Sequence, residues 1–353
     1  MQISDILKCM EDLNNKKILI IRLSALGDTI HTLPLLSAIK KQYPNTIVDW
    51  IVQQKASKFI LNNPLINKVY VLPNKPKHKE FWQIISNIQK ENYDIVIDTQ
   101  QLLKSGIILH FSKGKRKITL DKGREFSHIF ANEIIKTGKE LFDLNFHVVE
   151  RNLLIAKYLG CEDLSINFST PNFEQEYSEE VKAIIENLDK SKKTIVLAPT
   201  TTWDNKHWTI QGWVDVIKEF ENNYNIILTA DKNGAKTVEE IIEKSGSKNL
   251  INLANKTTLS DLIYIFQNTD VLLSPDSGSA HVAWACGNCK IITLFFATSK
   301  NRTAPFGDNY YSFNANINCA PCMSKKCRNK SKNECINKIN SAEIINILKK
   351  VLQ

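Results

Sequence analysis

Short apolar runs alternate with longer segments of helical apolar spacing along most of the 353-residue chain. This alternation predicts a mostly parallel sheet with helices on its faces. The predicted strands are Lys17–Ile21, Ile47–Val52, Lys68–Leu72, Asp94–Asp98 and Lys117–Leu120, then Thr194–Ala198, Ile226–Thr229, Val271–Leu273 and Ile291–Phe295. The predicted helices are Thr29–Gln42, Glu80–Glu91, Val149–Leu159, Glu179–Leu188, Gln211–Glu221, Leu259–Gln267, Ala280–Cys286 and Ala342–Leu352.

The length of the chain exceeds what one hydrophobic core usually supports, so we expect two domains. A polar stretch from Pro171 to Ser178 is the predicted linker, which gives domains of residues 1–170 and 179–340. Apolar residues between Ile3 and Leu13 share one helical face, so residues 1–16 are predicted to form an extra amphipathic helix. Residues 341–353 form the final predicted helix.

A strand, a turn and a helix near the N-terminus carry the first candidate for chemistry. The apolar run Ile18–Ile21 leads into Arg22-Leu23-Ser24-Ala25-Leu26-Gly27-Asp28. Open α/β sheets bind ligands at the carboxyl edge of their strands. Gly27 would allow a tight bend or a close ligand, and Asp28 could act there as a general base. Aspartate is also a favoured helix N-cap, and this segment taken alone favours the capping role.

A second segment of the same kind changes that balance. Residues 270–287 read as a strand, the turn Pro275-Asp276-Ser277-Gly278, and a helix that contains His281. Free backbone N–H groups at such a helix start can bind phosphate, and His281 could add a donor. The loop from Thr200 to Trp208, which follows another strand, supplies hydroxyl groups and the cation Lys206. A base in one half and a phosphate site in the other predict a group transfer between two lobes.

Together these segments resemble the heptosyltransferases of glycosyltransferase family 9, which build the inner core of bacterial lipopolysaccharide. Leu26-Gly27-Asp28 matches the Leu-Gly-Asp motif of the family, and Asp276-Ser277-Gly278-x-x-His281 matches its Asp-Ser/Thr-Gly-x-x-His motif. Three further stretches, Ile97–Ser105, His147–Arg151 and Thr201–Trp208, are most similar to the heptosyltransferase I branch. The similarity runs in order from about residue 17 to about residue 308.

The resemblance implies an α/β GT-B fold, in which two Rossmann-like domains face each other across a cleft. The first domain would bind the acceptor and the second the nucleotide sugar, with the final helix, residues 341–353, packed back on the first domain. The implied reaction is an inverting transfer of L-glycero-D-manno-heptose from ADP-heptose to the Kdo of lipid A. The alternatives are another nucleotide sugar, a later core acceptor as in heptosyltransferase II, or a non-catalytic binder of anionic glycan.

The resemblance also implies the roles of individual residues, with Asp28 as the catalytic base. The donor and its phosphates would be bound by Thr201, Thr202, Lys206, Asp276, Ser277, Gly278 and His281. The acceptor would be bound by Ser24, Gly27, Lys104 and Arg124. Because a helix start, a cation and hydroxyl groups can stabilise the leaving diphosphate, we expect the chemistry to require no metal or other cofactor.

One departure from the family pattern concerns the nucleotide ribose. Family members often carry an acidic residue after the strand that corresponds to Ile226–Thr229, where it binds the ribose. No acid falls at the matching place here, and Asp231 and Glu239 are the nearest candidates. The identity of the donor sugar therefore rests on the resemblance.

The net charge of +9 is concentrated in part between Leu103 and Arg124, where seven basic residues accompany one acid. Such a patch fits an anionic partner. We interpret residues 113–117 as a solvated surface, whereas Lys104 and Arg124 lie near strand ends and could bind the acceptor. The resemblance implies a cytoplasmic enzyme, peripheral on the inner membrane. No nucleic-acid partner is expected, because RNA-binding motifs with interleaved aromatic residues are absent from the sequence.

Four of the eight cysteines form the pattern Cys319-x-x-Cys322-x4-Cys327-x7-Cys335 in a basic segment. This spacing can bind a structural zinc ion, which would stabilise a weakly hydrophobic loop. Reduced thiols in a cytosolic loop, or a disulfide formed on exposure to air, are the favoured interpretation, and no catalytic metal is expected here.

Overall fold

The computed structural model describes residues 11–121, 123–138 and 143–353, except the side chain of Arg124. The chain divides into two compact units, Met1–Asn172 and Phe173–Gln353, and the division falls inside the predicted polar linker. Most of the predicted N-terminal helix, residues 1–10, lies outside the described residues. Residues 11–16 are not helical, and Leu13 is buried among them.

Each unit contains one parallel sheet, and both sheets have six strands among the described residues. The spatial order is β3-β2-β1-β4-β5-β6 in the first unit and β12-β11-β10-β7-β8-β9 in the second. Both orders are that of the Rossmann fold, so the α/β prediction with two Rossmann-like units is confirmed. The strands are Lys17–Ile21 (β1), Ile47–Gln53 (β2), Lys68–Leu72 (β3), Tyr93–Asp98 (β4), Gly114–Leu120 (β5), Glu133–Ile135 (β6), Thr194–Leu197 (β7), Asn225–Leu228 (β8), Leu250–Asn252 (β9), Val271–Pro275 (β10), Lys290–Phe295 (β11) and Tyr310–Asn314 (β12).

The α-helices connect these strands and cover their faces. They are Leu26–Ile30 (α1), Leu33–Gln42 (α2), His78–Ile88 (α3), Leu103–Phe111 (α4), Val148–Tyr158 (α5), Glu179–Glu186 (α6), Ile210–Phe220 (α7), Ala235–Ser245 (α8), Leu259–Gln267 (α9), Gly278–Cys286 (α10), Lys300–Thr303 (α11) and Ser341–Leu352 (α12). A 3₁₀ segment, Arg124–Phe130, lies between β5 and β6. Among the described residues no helix is both long enough and apolar enough to cross a membrane.

The predicted helix Thr29–Gln42 is divided in the structure into α1 and α2. Gly27 and Asp28 lie inside α1 instead of in a turn before it. Pro34 is in the first turn of α2, where its missing N–H costs nothing. The chain therefore bends between the two helices at His31 and Thr32.

The final helix, α12, packs on the second unit, which corrects the expectation that it packs on the first. Ile344 and Leu348 are fully buried and share one hydrophobic core with Trp208 and Trp213 of the second unit. Ser341 also donates a hydrogen bond to Asp215 of α7, at 2.7 Å. The apolar face of α12 thus completes the core of its own unit.

We predict that Leu348→Ala lowers the free energy of unfolding by about 2–5 kcal/mol, because a fully buried leucine leaves a cavity. Urea unfolding followed by tryptophan fluorescence measures this, since Trp208 and Trp213 belong to the same core. Lys350→Ala on the exposed side of α12 is the control and should change the free energy by no more than about 0.5 kcal/mol. Equal midpoints and slopes for both variants would contradict this packing.

Candidate functional site

The strand order reverses between β1 and β4 in the first unit and between β7 and β10 in the second. Parallel sheets bind ligands at such points, beyond the carboxyl ends of the two neighbouring strands. Residues 22–28 follow β1 and residues 99–102 follow β4, whereas residues 198–209 follow β7 and residues 276–278 follow β10. Of the residues predicted for catalysis, donor binding and acceptor binding, all but Arg124 fall in these segments or in the first turn of the helix that follows.

Asp28 uses its two carboxylate oxygens in two different ways. Its Oδ2 accepts a hydrogen bond from the backbone N–H of Ala25 at 3.1 Å and so caps α1. Its Oδ1 lies 3.0 Å from Nη2 of Arg22. The side chain remains 39% exposed, so the carboxylate is fixed in direction and open to a substrate. The capping role and the availability of a base are therefore compatible.

Arg22 is a site residue that sequence reasoning missed. It follows β1 directly, and only 9% of its side chain is exposed. Its guanidinium donates to the backbone carbonyl of Thr99, at the end of β4, as well as to Asp28. A charged residue at the end of a buried strand is the signal that could have identified it.

The loop that contains Ser24 is held by the segment that follows β4. Gln100 Oε1 accepts hydrogen bonds from the backbone N–H groups of Leu23 and Ser24, both at 3.0 Å. Asp98 in turn accepts from the N–H groups of Gln100 and Gln101, at 2.9 and 3.1 Å. Burial raises the pKa of Asp98 to about 6, although these hydrogen bonds oppose the change. The Asp98–Gln101 segment thus positions the Ser24 loop.

The two basic residues predicted to bind the acceptor, Lys104 and Arg124, are not shown beside Asp28. Lys104 Nζ lies 5.9 Å from the centroid of the Phe81 ring, and burial lowers its pKa. Among the described residues, no hydrogen bond or ion pair joins Lys104 to the loop that contains Asp28. The backbone of Arg124 begins the 3₁₀ segment after β5, but its side chain lies outside the described part of the chain.

In the second unit, the buried carboxylate of Asp276 is the centre of the candidate donor site. Its Oδ2 accepts hydrogen bonds from Lys206 Nζ and from Thr298 Oγ1, both at 2.7 Å. Its Oδ1 lies 3.5 Å from Nε2 of His281. Thr201 Oγ1 donates to the backbone carbonyl of Asp276 at 3.1 Å. The carboxylate therefore orients a cation, an imidazole and one hydroxyl group, and the backbone carbonyl of the same residue binds a second hydroxyl group.

The charged groups around Asp276 keep its carboxylate ionised, and this bears on its role in the donor site. Burial alone would raise its pKa, but Lys206 and His281 outweigh burial and hold the pKa well below the usual range. A carboxylate that stays ionised repels a diphosphate, so we assign Asp276 to the positioning of Lys206 and not to direct phosphate contact. Thr298, which sequence reasoning missed, lies just beyond the carboxyl end of β11.

The start of α10 supplies backbone donors beside this carboxylate. Ser277 is the N-cap residue, and its hydroxyl is hydrogen-bonded to that of Ser274 at 2.7 Å. The first N–H groups of any helix lack partners inside the helix, and they favour an anion. The first turn of α10 contains no acidic side chain that would compete for them. Gly278 and its neighbours thus form a suitable site for a phosphate group.

The loop after β7 brings further groups to the donor site. Lys206 Nζ lies 5.2 Å from the centroid of the Trp203 ring, and Lys325 Nζ lies 5.9 Å from it. Thr202 is exposed in the same loop. Gly234 packs directly on Thr200, because a Cβ atom there would lie 2.4 Å from Thr200 Oγ1. Lys325 was not predicted, since it is distant in sequence from every motif.

The cysteine segment is connected to the same loop. Asn205 Nδ2 donates to the backbone carbonyl of Ser324 at 2.7 Å, and Met323 N donates to the carbonyl of Ala297 at 2.8 Å. Cys319 and Cys322 are exposed, whereas Cys335 is buried in the core of the second unit. Within the described ranges, no three His, Cys, Asp or Glu side chains are grouped as a metal would require. The segment thus braces the Lys206 loop without a preformed metal site among these residues.

The candidate nucleotide residues Asp231 and Glu239 are both exposed after β8. Asp231 Oδ1 accepts a hydrogen bond from the N–H of Gly234 at 2.9 Å, which closes the turn before α8. Asp231 therefore has a structural role in this turn.

Two relatives with assigned names are similar to this chain over most of its length. A lipopolysaccharide heptosyltransferase 1 of Campylobacter coli is 29% identical over 353 aligned positions, which cover 95% of this chain and 98% of that protein. A lipopolysaccharide core heptosyltransferase of Haemophilus influenzae is 28% identical, and the alignment covers 83% of this chain and 82% of that protein.

Solved structures show the same fold. A family 9 glycosyltransferase from Veillonella parvula superposes with a TM-score of 0.78 at 18% identity, covering 97% of this chain and 98% of that one. An Escherichia coli heptosyltransferase solved with ADP gives a TM-score of 0.73 at 21% identity, covering 95% and 99% of the two chains. These similarities confirm the predicted GT-B fold class.

The sequence profile of glycosyltransferase family 9 (heptosyltransferase) matches residues 81–333. This range contains the complete donor site around Asp276, and the curated relatives extend the match over most of the chain. The family prediction is therefore confirmed: the chain belongs to glycosyltransferase family 9, the heptosyltransferases, and is a glycosyltransferase.

Proposed function

We propose that this enzyme transfers L-glycero-D-manno-heptose from ADP-heptose to the Kdo of lipid A, with inversion at the anomeric carbon. The observation that carries the proposal is the pairing of an open, oriented carboxylate in one unit with a cationic helix start in the other. The Campylobacter and Haemophilus relatives, named as lipopolysaccharide heptosyltransferases, support it, as does the Escherichia coli structure with ADP.

In the proposed reaction, a hydroxyl oxygen of the acceptor attacks the anomeric carbon, and the bond from that carbon to the β-phosphate oxygen breaks. Asp28 takes the hydroxyl proton. A sugar hydroxyl is a far weaker acid than a carboxylic acid, so the proton moves only as the new bond forms. Arg22 keeps the carboxylate directed while leaving it exposed.

The leaving ADP gains negative charge on its β-phosphate, which preorganised donors stabilise. We assign this role to Lys206, to the N–H groups at Ser277 and Gly278, and to His281, with Thr201 and Thr202 beside them. Asp276 holds Lys206 and His281 in place. Because these groups supply the electrostatic stabilisation, we propose that no divalent metal takes part in the chemistry.

A lipid-anchored acceptor implies a place of action. We assign the enzyme to the cytoplasm, bound peripherally to the inner membrane where Kdo-lipid A is accessible. Relatives named heptosyltransferases 1, 2 and 3 are all similar to this chain, so a later core acceptor or another nucleotide sugar is the second candidate.

Incubation with ADP-heptose and Kdo-lipid A, followed by mass spectrometry, tests the proposal. We expect one added heptose, no product with lipid A that lacks Kdo, and no change of ADP-heptose when the acceptor is omitted. Transfer to an acceptor that already carries heptose, but not to Kdo-lipid A, would favour the second candidate and reject the first.

Asp28→Asn should reduce the transfer rate by about 100-fold or more, because the general base is lost while the cap of α1 can be kept. Steady-state assays together with calorimetry of ADP binding check this, and ADP affinity should not change. Asp12→Asn, an exposed aspartate in the same unit, is the matched control and should behave as wild type. Near-normal turnover of a stable Asp28→Asn protein would remove Asp28 as the base.

Lys206→Ala should weaken ADP binding and slow transfer, with a combined cost of about 2–4 kcal/mol in kcat/KM. Because this variant leaves Asp276 buried without its cation, the double variant Lys206→Met/Asp276→Asn serves as a neutral second test. Lys218→Ala, exposed on α7, is the control. Unchanged ADP affinity and turnover in both Lys206 variants would exclude Lys206 from the donor site.

Full activity should persist in excess EDTA, since protein groups alone are proposed to stabilise the diphosphate. Elemental analysis before dialysis tests the separate hypothesis of structural zinc at Cys319, Cys322, Cys327 and Cys335. If zinc is present, chelation should lower the melting temperature without stopping chemistry in the protein that stays folded. Loss of turnover at an unchanged melting temperature, restored by a divalent ion, would contradict the metal-independent mechanism.

A further inference from the structure

Apolar residues lie on every side of helix α4, yet one of its faces is exposed. Its sequence, Leu-Lys-Ser-Gly-Ile-Ile-Leu-His-Phe, has Lys104 as its one permanently charged residue. A helix of this composition is normally buried on every side. Here Leu103 and Phe111 are 46% and 38% exposed, and Ile107 between them is half-buried. Residues spaced by four share one side of a helix, so these three form a continuous apolar stripe.

The 3₁₀ segment Arg124–Phe130 packs on a flank of α4 and carries two further exposed apolar side chains. It packs closely on α4, since a Cβ atom on Gly106 would lie 2.5 Å from Cδ2 of Phe130. On its outer side Phe126 is 75% exposed and Ile129 is 66% exposed. Phe126 has a φ of +58°, a conformation that bulky residues rarely adopt, so the backbone accepts strain while presenting this ring to solvent.

We call Leu103, Ile107, Phe111, Phe126 and Ile129 the α4 face. Exposed apolar patches of this kind, with polar residues around them, mark sites of interaction with proteins or membranes. Trp82 adjoins the face at one end, where its ring centroid is 5.1 Å from that of Phe111. Its indole is 37% exposed, and amphipathic indole rings favour the boundary between lipid and water.

The α4 face begins beside the candidate base. Leu103 follows the segment that contains Thr99 and Gln100, which bind Arg22 and the Ser24 loop. The N–H of Leu103 donates to the carboxylate of Glu125 at 2.9 Å, which joins α4 to the 3₁₀ segment at this end. A surface that bound to the α4 face would therefore lie next to the loop that carries Asp28.

Basic residues lie within α4 and next to the elements that form the face. Lys104 lies over the Phe81 ring, and Lys79, two residues before Phe81, is exposed. Lys113, just after the end of α4, is exposed as well. Glu125 of the 3₁₀ segment is exposed and accepts a hydrogen bond from the backbone N–H of Leu103. If a second copy of the chain covered this face, the lysines of the two copies would repel each other. An anionic bilayer would instead attract them.

We infer that the α4 face docks the enzyme on an anionic lipid bilayer, with Phe126 and Ile129 inserted at the headgroup boundary and Lys79, Lys104 and Lys113 on the lipid phosphates. This inference rests on the proposed function, which supplies the lipid-anchored acceptor. Docking through this face would bring the headgroup of the acceptor to the Asp28 loop.

Sedimentation with vesicles tests the inference without donor, acceptor or catalysis. The probes are vesicles of phosphatidylcholine alone and of phosphatidylcholine mixed with phosphatidylglycerol. Wild type should bind the mixed vesicles, less at high salt, and bind the neutral ones weakly. Phe126→Gln/Ile129→Gln should weaken the partition coefficient by about tenfold or more, because two bulky side chains no longer leave water. Lys79→Gln/Lys113→Gln should lose the preference for anionic vesicles.

The matched control is Ile47→Gln/Leu61→Gln, which changes two apolar residues of the same unit that are 41% and 38% exposed. It should bind vesicles as wild type does. The Phe126/Ile129 variant should keep its rate on a deacylated, water-soluble Kdo acceptor and lose rate only on acceptor embedded in vesicles. Vesicle binding without any transferase activity would support the docking face and reject the proposed function.

Three results would overturn the inference: no binding of wild type to anionic vesicles, equal binding of the Phe126/Ile129 variant, or equal loss in the control. Analytical ultracentrifugation tests the other possible occupant of the α4 face, a second copy of the chain. If wild type is a dimer that this variant dissociates, and neither protein binds vesicles, the α4 face is a contact between copies and not a membrane surface.

Discussion

Both candidate sites depend on one constraint, the reversal of strand order within a parallel sheet. At a reversal, the chains that leave two neighbouring strands turn to opposite faces, and the edge between them stays open. In the first unit this edge collects Arg22, Asp28 and Gln100, and in the second it collects Lys206, Asp276 and Ser277. The chemistry proposed for this glycosyltransferase uses both edges, one for the base and one for the leaving group.

The charges at these edges are paired in different ways. Lys206 and Asp276 are almost fully buried, and such a pair contributes little net stability because desolvation offsets the attraction. The pair instead fixes the geometry of the site, because Asp276 also orients Thr298 and His281. Arg22 is buried but its partner Asp28 is not, so the pair directs the carboxylate and leaves it able to accept a proton. The exposed apolar residues of the α4 face also cost stability, and the inferred contact with a bilayer would account for their exposure.

Central strands were predictable from sequence, whereas three of the four edge strands were not. β1, β4, β7 and β10 are buried on both faces, so their apolar runs are unbroken. The three strands that were missed, β6, β9 and β12, are all sheet edges, and their residues are mostly half-buried or exposed. Asp28, Lys206 and Asp276 were predicted from motifs that follow strands. Arg22 could have been identified from its place at the end of a buried strand. Thr298 and Lys325 act through contacts with residues distant in sequence, so local sequence does not reveal them. The docking of α12 likewise depends on which core lacks an apolar face.

The central claim is a single displacement in which Asp28 receives the proton and the diphosphate leaves from the opposite side. The anomeric configuration of the product, compared with that of the ADP-heptose supplied, tests this most directly. The one-bond carbon–hydrogen coupling at the anomeric carbon distinguishes the two anomers in the isolated product. The anomeric carbon of the transferred heptose should have opposite configurations in the donor and the product. Retention of the donor configuration would require a second displacement or a different mechanism, and would contradict the role assigned to Asp28.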